Sequence, residues 1–442
     1  METIVQAASQ IAGEIFGNGG LSEWLLRLFP FFILLELPVY LLIFVGVLRW
    51  KLRERHRIPP SRLYTPKVSC IVTCYSEGAE TVITLKSLCE QLYPGVLEII
   101  PVVDGASINR ETLAAIEGFR VDPHLHPRRT IRPLAKWQRG GRVSSLNAGL
   151  HHATGDIVLA LDGDTSFDND MVSQIVQHFA DPNVPAVSGN LRVRNRNDSL
   201  VARIQALEYL LSIQMSKIGL GEWNTINNIS GAFGAFRRKL LTRIGGWDTH
   251  TAEDLDITLR IKSYYGRHHF RIPFEPRAIG HTDVPTTFRQ FLMQRLRWDG
   301  DLYFLFVRKH QRNLSPRLMG WPDFLMTLVT GLFFQLVMPF LIVSYLVVGF
   351  ILMPLSTIAF VAVLIYSVYF AITLTLYLAC LLLVSERPRE DLKLLPLVPL
   401  FPVFMLVIRC WGVVCTLNEA LRRGHEESSM APWWVIKRGK KF

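Results

Sequence analysis

The sequence predicts an α/β domain that is carried by membrane helices. Apolar residues concentrate in one N-terminal run and in a long C-terminal stretch, and the region between them is mixed and polar. In that region three short runs rich in β-branched residues, Val68–Thr73, Glu98–Val103 and Asp156–Leu161, are each followed by polar or glycine-bearing residues. Helical patterns occupy Ala79–Gln91 and Arg110–Gly118. Strands that alternate with helices indicate right-handed βαβ units and a parallel sheet.

The first apolar run, Phe29–Leu48, has the length of a bilayer span and is too long for the core of a signal peptide. A basic cluster at residues 49–57 follows at once, so the positive-inside rule places the next region in the cytosol. Two further spans are predicted at Phe324–Leu352 and Ile358–Val384, joined by a tight turn on the outer side.

The last apolar segment, Leu394–Leu417, contains three prolines and Arg409 near its middle. One crossing would place the basic tail outside, whereas an interface helix followed by a kinked or re-entrant segment would keep it in the cytosol. Both arrangements stay open. Arg409 and Glu36 of the first span are intramembrane charges, which face either a cavity or a structural ion-pair partner.

These assignments divide the chain into five parts. They are an N-terminal region with one span (1–57), a cytosolic α/β domain (58–284), interface helices (285–322), a C-terminal membrane region (323–420) and a basic cytosolic tail (421–442).

The charge and cysteine content exclude several classes of partner and site. Lysine and arginine exceed aspartate and glutamate by 11, and much of this surplus flanks the apolar segments, as in contacts with anionic lipid. The chain has no basic helix with interleaved aromatic residues, so we expect membrane lipid and no nucleic acid among its partners. The six cysteines form no CxxC pair and have no histidines at ligand spacing, which argues against a disulfide framework or a zinc site.

Polar residues follow the predicted strands where a parallel sheet binds its ligands. Tyr75 and Glu77 follow the first strand, Asp104 the second, and Asp162 and Asp164 the third. Ligands of such sheets bind beyond the carboxyl ends of the strands. An Asp-x-Asp pair at that position presents carboxylates to a hard cation, which would neutralise charge on a departing nucleotide diphosphate. Taken alone, the pair also fits a solvated turn.

Two later motifs each have a structural and a functional interpretation. Glu253 and Asp254 begin a run with helical periodicity of apolar residues. In the structural interpretation they are acidic residues that stabilise the first turn of a helix. In the functional interpretation Asp254 is a general base for an acceptor hydroxyl. Gln294, Arg297 and Trp298 precede the second span. Arg297 and Trp298 are either interfacial anchors, or bind a diphosphate and the apolar face of an acceptor sugar.

Taken in order, Asp104, Asp162/Asp164, Glu253-Asp254 and the Gln294–Trp298 motif read D, DxD, ED and QxxRW. In this pattern the chain resembles the processive family 2 glycosyltransferases, which include the poly-N-acetylglucosamine, hyaluronan, nodulation chitooligosaccharide and cellulose synthases. The match runs from about Val68 to Trp298. Within this family the chain most resembles the bacterial poly-β-1,6-N-acetylglucosamine synthase branch, and residues 187–195 and 230–238 carry this resemblance. The resemblance implies a GT-A fold, which is Rossmann-like.

The resemblance also implies a role for each matching residue. It places Thr73, Tyr75, Glu77 and Asp104 at the uridine, Asp162 and Asp164 at the diphosphate and a Mg²⁺ or Mn²⁺ ion, Arg142 and Arg297 at the nucleotide sugar, Asp254 as the general base, and Ser230, Gly231, Glu253, Gln294 and Trp298 around the acceptor. Arg142 stands where the family often has lysine, and Ala252 where some members have threonine. No cyclic-dinucleotide-binding domain follows the last apolar segment, so regulation would need a partner chain such as a small membrane subunit.

We therefore predict an inverting, metal-dependent enzyme of the bacterial inner membrane with its catalytic domain in the cytosol. It would extend a growing β-linked polysaccharide from a UDP-sugar, with UDP-N-acetylglucosamine as first choice and UDP-glucose as second, and pass the product through its own spans. The alternatives are a non-processive transferase that adds one sugar to a lipid carrier, and a non-catalytic membrane scaffold, which would tolerate the loss of the acidic residues.

Overall fold

The computed structural model describes residues 31–55, 64–249 and 252–422 of the chain. Its strands are β1 (Val68–Cys74), β2 (Leu97–Asp104), β3 (Arg129–Ile131), β4 (Leu134–Lys136), β5 (Ile157–Asp162), β6 (Ser166–Phe167), β7 (Ala186–Val193), β8 (Phe233–Arg237) and β9 (Phe274–Thr282). Within the described residues they form one sheet in the order β3-β2-β1-β5-β8-β7-β9-β6, and β4 pairs with β2. The three predicted strands agree with β1, β2 and β5 to within one residue at each end.

The sheet is parallel in one half and mixed in the other. β1 lies between β2 and β5 and is parallel to both. All residues of β1 and β2 are buried, which explains their near-continuous apolar character. β8 is antiparallel to both of its neighbours, β5 and β7. The prediction of a parallel sheet is therefore right for the half around β1 and wrong for the sheet as a whole.

The helices of the first part of the chain cover this sheet and connect it to the membrane region. They are α1 (Leu37–Glu54), α2 (Thr81–Cys89), α3 (Arg110–Gly118), α4 (Gly141–His152), α5 (Met171–Val176), α6 (Leu200–Glu208), α7 (Ser216–Glu222), α8 (Arg238–Arg243), α9 (Glu253–Lys262), α10 (Tyr265–His268), α11 (Phe288–Tyr303) and α12 (Pro316–Met319). A π-helical segment, Tyr209–Met215, joins α6 to α7. The helix at Arg110–Gly118 has its predicted bounds, whereas the one predicted at Ala79–Gln91 begins as a 3₁₀ turn and ends at Cys89.

The C-terminal region consists of α13 (Trp321–Met326), α14 (Met338–Leu352), α15 (Leu355–Leu383), α16 (Pro388–Asp391) and α17 (Phe401–Arg422), with a π-helical segment between α13 and α14. Among the described residues, three helices are long and apolar enough to cross a membrane: Trp321–Leu352, Leu355–Leu383 and Phe401–Arg422. The predicted N-terminal span, 29–48, begins outside the described residues, and the predicted tail lies outside them from residue 423.

The last span starts at Phe401 and not at the predicted Leu394, because the prolines break the segment. Pro396 lies in a short 3₁₀ segment, Leu392–Leu397. Pro402 is the second residue of α17, where the missing N–H removes no intrahelical hydrogen bond. From there α17 is continuous through Arg409, so the helix is unbroken where a kinked segment was one of the expectations.

The two charges predicted to lie in the membrane have polar partners on neighbouring helices. The Tyr369 hydroxyl donates to the Glu36 carboxylate at 3.1 Å. Arg409 donates to the Phe334 carbonyl and to the Gln335 side chain. These contacts agree with the interpretation that each charge has a structural partner, since each contact joins two helices of the membrane region.

Helix α1 packs on α7 through two glycines. A Cβ atom on Gly46 would overlap the Gly219 carbonyl oxygen, and one on Gly219 would overlap the backbone of Ile43. Beside this crossing, the Trp223 indole N–H donates to the Leu42 carbonyl at 3.0 Å. The backbones can approach this closely only because both positions lack a side chain. The crossing therefore fixes α7 against α1.

Replacing Gly46 by alanine should force α1 and α7 apart and destabilise the protein by about 1–3 kcal/mol. Gly349→Ala is the matched control, because among the described residues no atom outside its own helix backbone and its two chain neighbours lies within 4 Å of its Cβ position. The midpoint of thermal unfolding in detergent should fall for Gly46→Ala and not for Gly349→Ala. Equal midpoints for the two variants would contradict the close crossing.

Candidate active site

One continuous cavity of about 1250 Å³ lies beyond the carboxyl ends of β1, β2 and β5 and extends to Gln335 in the first C-terminal span. All of the residues that the sequence assigns to the site line this cavity: Thr73, Tyr75, Glu77, Asp104, Arg142, Asp162, Asp164, Ser230, Gly231, Glu253, Asp254, Gln294, Arg297 and Trp298. The strand register explains part of this convergence, since Thr73 of β1 is directly paired with Asp162 of β5. The fold thus brings four motifs separated by up to two hundred residues into one cavity.

The Asp104 carboxylate is hydrogen-bonded to the backbone at the start of α4. The residue is only 4% exposed. Its carboxylate accepts hydrogen bonds from the backbone N–H groups of Gly140 and Gly141, both at 2.9 Å, and from the Lys136 ammonium at 2.8 Å. Gly141 has a φ of +77°, a conformation that favours glycine. The last residue of β2 therefore fixes the start of α4, the helix that carries Arg142.

Tyr75 has an arginine partner that the motif analysis missed. The Arg139 guanidinium lies over the Tyr75 ring, 4.6 Å from its centroid. Both side chains line the cavity. The only sequence signal for Arg139 was its position three residues before Arg142 in an Arg-Gly-Gly-Arg run.

The arginine at position 142 connects four parts of the site. Its guanidinium donates to the Asp162 carboxylate, to Glu253 at 2.5 Å, to the Thr73 hydroxyl at 2.8 Å and to the Gly231 carbonyl at 2.6 Å. A planar fork with five donors can satisfy these acceptors at once, which a lysine could not. The residue predicted to meet the nucleotide sugar thus pairs with the acidic groups around it.

Asp164 and Glu77 form the most acidic corner of the cavity. Burial raises the pKa of the Asp164 carboxyl. Burial, and to a lesser extent the charge of Asp164, raises the pKa of Glu77 to about 8. One Glu77 carboxylate oxygen is buried and has no hydrogen-bond partner among the described residues. A corner with two destabilised carboxylates is suited to receive positive charge or hydroxyl donors.

The residues present fit a divalent cation bound together with a diphosphate. Among the described residues, no group of three or more acidic, histidine or cysteine side chains is placed to hold a metal ion. Asp162 and Asp164 at the end of a buried strand supply two carboxylates, and hard cations complete their shell with phosphate oxygens and water. The unpartnered oxygen of Glu77 and the raised pKa of Asp164 are consistent with added positive charge at this corner.

Glu253 and Asp254 begin α9 directly after a left-handed residue. Ala252 has a φ of +45°, which is strained for a residue with a Cβ atom and turns the chain into the helix. Asp254 accepts from its neighbour's backbone, Leu255 N–H, at 2.7 Å and from the Asn228 side chain at 2.7 Å. Burial raises the pKa of Asp254, and the adjacent Glu253 raises it further. A carboxyl with a raised pKa is suited to accept a proton near neutral pH.

Three pairs anchor α9 through residues that do not line the cavity. The buried Asp256 pairs with His310 and Lys309, both at 2.8 Å, in the segment that extends α11. Lys262, in the last turn of α9, pairs with Asp323 of the first C-terminal span at 2.6 Å, and both side chains are buried. The helix that presents Asp254 is therefore held by the membrane region.

Helix α11 carries the motif Gln294–Trp298, whose three matching residues line the cavity. The side-chain amide oxygen of Gln294 is buried without a hydrogen-bond partner among the described residues. Burial lowers the pKa of Arg297, an effect that Asp301 and Glu253 oppose. Arg295, which the motif does not include, lies 5.2 Å from the Trp298 ring centroid. The indole is thus stacked on one side by a cation and lines the cavity with the rest of its surface.

Residues 157–384, slightly more than half of the chain, match the family model described as Glycosyl transferase family group 2. The chain belongs to this family. It is therefore a hexosyltransferase by family, and the resemblance found in the motifs is confirmed. The sequence-based prediction of the GT-A fold is confirmed as well.

Curated relatives and a solved structure agree with this assignment. The chain is 25% identical over 385 residues to a poly-β-1,6-N-acetyl-D-glucosamine synthase of Staphylococcus epidermidis, covering 84% of this chain and 87% of the relative. It is 28% identical over 250 residues to an N-acetylglucosaminyltransferase of Azorhizobium caulinodans, covering 54% and 60%. A mannosyltransferase from Pyrobaculum calidifontis, solved with GDP-mannose and Mn²⁺, has the same fold with a TM-score of 0.53 at 19% identity, covering 87% of this chain and 97% of that one.

Proposed function

We propose that the chain is a membrane-embedded, processive, inverting glycosyltransferase that polymerises a β-linked polysaccharide from a UDP-sugar. The observation that carries the proposal is the cavity, which is continuous from the acidic corner at Asp164 past Trp298 to Gln335 in the first C-terminal span. A polymer extended at Asp254 would have a polar route toward the membrane region without leaving the protein. The proposed location is the inner membrane of a bacterium, with several spans and the catalytic domain in the cytosol.

The relatives support an N-acetylglucosaminyl donor. Those that cover most of this chain are named poly-β-1,6-N-acetyl-D-glucosamine synthases, and a relative from a different organism is named an N-acetylglucosaminyltransferase. We therefore propose UDP-N-acetylglucosamine as donor, with UDP-glucose as second choice, and the growing polysaccharide as acceptor. A small membrane subunit stays a prediction.

In the proposed mechanism, the acceptor end of the polymer lies against Trp298 and near Ser230, Gly231 and Gln294. Asp254 takes the proton of the acceptor hydroxyl as its oxygen attacks the anomeric carbon of the donor. The bond from that carbon to the diphosphate breaks in the same displacement, so the configuration inverts and no second carboxylate is needed as nucleophile. Glu253 would orient the acceptor while paired to Arg142.

Asp162 and Asp164 would hold a Mg²⁺ or Mn²⁺ ion at the donor diphosphate. A bound divalent cation supplies positive charge where the departing nucleotide diphosphate becomes more negative. The solved mannosyltransferase is in complex with GDP-mannose and Mn²⁺, which supports the use of a divalent cation by this fold. Thr73, Tyr75, Glu77 and the backbone fixed by Asp104 would enclose the uridine, and Arg297 would meet the diphosphate.

The experiment that tests the function is synthesis by the purified protein in lipid nanodiscs. Labelled UDP-N-acetylglucosamine, UDP-glucose and UDP-glucuronate are supplied in turn with Mg²⁺ or Mn²⁺, and the products are sized by gel. We expect a product of high molecular mass from UDP-N-acetylglucosamine alone. Short or lipid-linked products would instead establish a single-addition transferase, and a long product from UDP-glucose would establish a glucan synthase.

Asp254→Asn should lower the turnover number by about 10²–10⁴-fold, because the amide cannot accept the acceptor proton. Donor binding should be nearly unchanged, since the side chain is assigned to the acceptor. Turnover is measured by release of UDP, and binding by calorimetry with UDP. Near-normal turnover in this variant would show that Asp254 is not the base.

Asp164→Ala should remove most of the gain in UDP affinity that Mn²⁺ provides, a loss of about tenfold or more, or about 1.4 kcal/mol. Asp198→Ala is the matched control, because Asp198 is exposed and lies outside the cavity. Affinity is measured by calorimetry with and without the metal. If Asp164→Ala keeps the full metal-dependent gain of the wild type, the residue does not hold the cation.

A further inference from the structure

A buried lysine that belongs to no motif lies beside the proposed base. Lys217 is on α7, is 8% exposed and lines the cavity. Its ammonium donates to the Asn228 backbone carbonyl at 3.0 Å. Among the described residues, no carboxylate forms an ion pair with it. A buried ammonium held by a single neutral acceptor is costly, so its retention calls for an electrostatic role.

Asn228 connects this lysine to the carboxylate at the start of α9. The Asn228 backbone accepts from Lys217, and the Asn228 side chain donates to the Asp254 carboxylate at 2.7 Å. One residue therefore contacts both the lysine and the carboxylate. Burial lowers the pKa of Lys217 to about 8, and the charge of Asp254 opposes this effect.

The other charged groups near Asp254 either favour its neutral form or interact with other residues. Glu253, on the same helix, raises the pKa of Asp254, whereas Lys217 lowers it. Arg142 of α4 is paired with Glu253 and Asp162. The charge of Glu253 also acts on Arg297 of α11, whose pKa it raises. Lys217 is thus a cation that lowers the pKa of Asp254.

The elements packed against α7 leave the Lys217 ammonium free to act on Asp254. On α1, Arg49 and Arg53 both approach Glu222, at the other end of α7. On β9, Glu275 pairs with a histidine outside α7. The π-helical segment before α7 contributes Tyr209, whose pKa is raised by burial, so that it is uncharged. Among the described residues, the charge of Asp254 opposes the effect of burial on the pKa of Lys217.

We propose that Lys217 is a positioning residue for the transfer reaction, whose ammonium holds Asn228 in place and keeps the Asp254 carboxylate ionised and ready to accept a proton. The inference rests on the proposed function, in which Asp254 is the base. The position of the lysine is itself set by the membrane helix, because Gly219 at the crossing with α1 is two residues away on the same helix. The lysine thus adds an electrostatic contact from α7 to the motif on α9.

The test is the dependence of the turnover number on pH in Lys217→Met. Removing the cation makes ionisation of Asp254 less favourable, so the acid limb of the profile should move to higher pH by about one unit. The loss of turnover at pH 6 should then be about five times larger than the loss at pH 8. Affinity for UDP, measured by calorimetry, should be unchanged, because the lysine lies at the acceptor side.

Two further variants separate charge from packing. Lys217→Gln can still donate to the Asn228 carbonyl but carries no charge, so its acid limb should move as in Lys217→Met. Lys217→Arg keeps the charge, and its acid limb should stay at the wild-type pH even if its turnover is lower. A loss of turnover by the same factor at all pH values in the two neutral variants would overturn the proposal. Lys217→Gln decides the outcome if Lys217→Met does not fold.

Asp254→Asn is measured in the same experiment. If it retains turnover, the assignment of the base fails and the inference about Lys217 fails with it. If Asp254→Asn is inactive while the acid limb of Lys217→Gln does not move, the assignment of the base stands and the lysine has a structural role only.

Discussion

The rest of the site depends on how several carboxylates are kept in one partly buried cavity. Arg142 supplies most of the compensating positive charge, because its guanidinium pairs with Asp162 at the end of β5 and with Glu253 at the start of α9. The same group also binds the Thr73 hydroxyl and the Gly231 carbonyl, so it connects four chain segments. Without this cation the two acids would repel each other across the cavity. The position of Arg142 depends in turn on Asp104, which fixes the first residues of α4.

The cavity has an uneven distribution of charge. At one end the carboxyls of Asp164 and Glu77 have raised pKa values caused by burial, which makes this corner receptive to positive charge. Asp254 is also buried, but its neighbours are a carboxylate on one side and the lysine at position 217 on the other. The same residue type is therefore placed in two environments, one suited to bind a cation and one suited to take up a proton.

The sequence was sufficient for features that are local. The strands β1, β2 and β5 were predicted to within one residue, because runs of β-branched residues and the polar residues after them mark both ends. The antiparallel direction of β8 was not predicted, because it follows from pairing with β5, seventy residues earlier in the chain, and no short pattern records it. Lys217 and Asn228 were missed for a similar reason: a lone lysine in an amphipathic stretch has no motif, and its role appears only when α7 and α9 are seen together.

The ion pair between Lys262 and Asp323 has a mechanical consequence for the chain. Helix α9 has ten residues, is about 15 Å long and behaves as a rigid rod over that length. Asp254 lies near one end of the rod, and Lys262, bound to the first C-terminal span, is at the other. Displacement or tilt of that span relative to the sheet is therefore transmitted to the carboxylate. In the proposed mechanism, bilayer thickness, which sets the tilt of a span, would therefore change the distance between the proposed base and the donor.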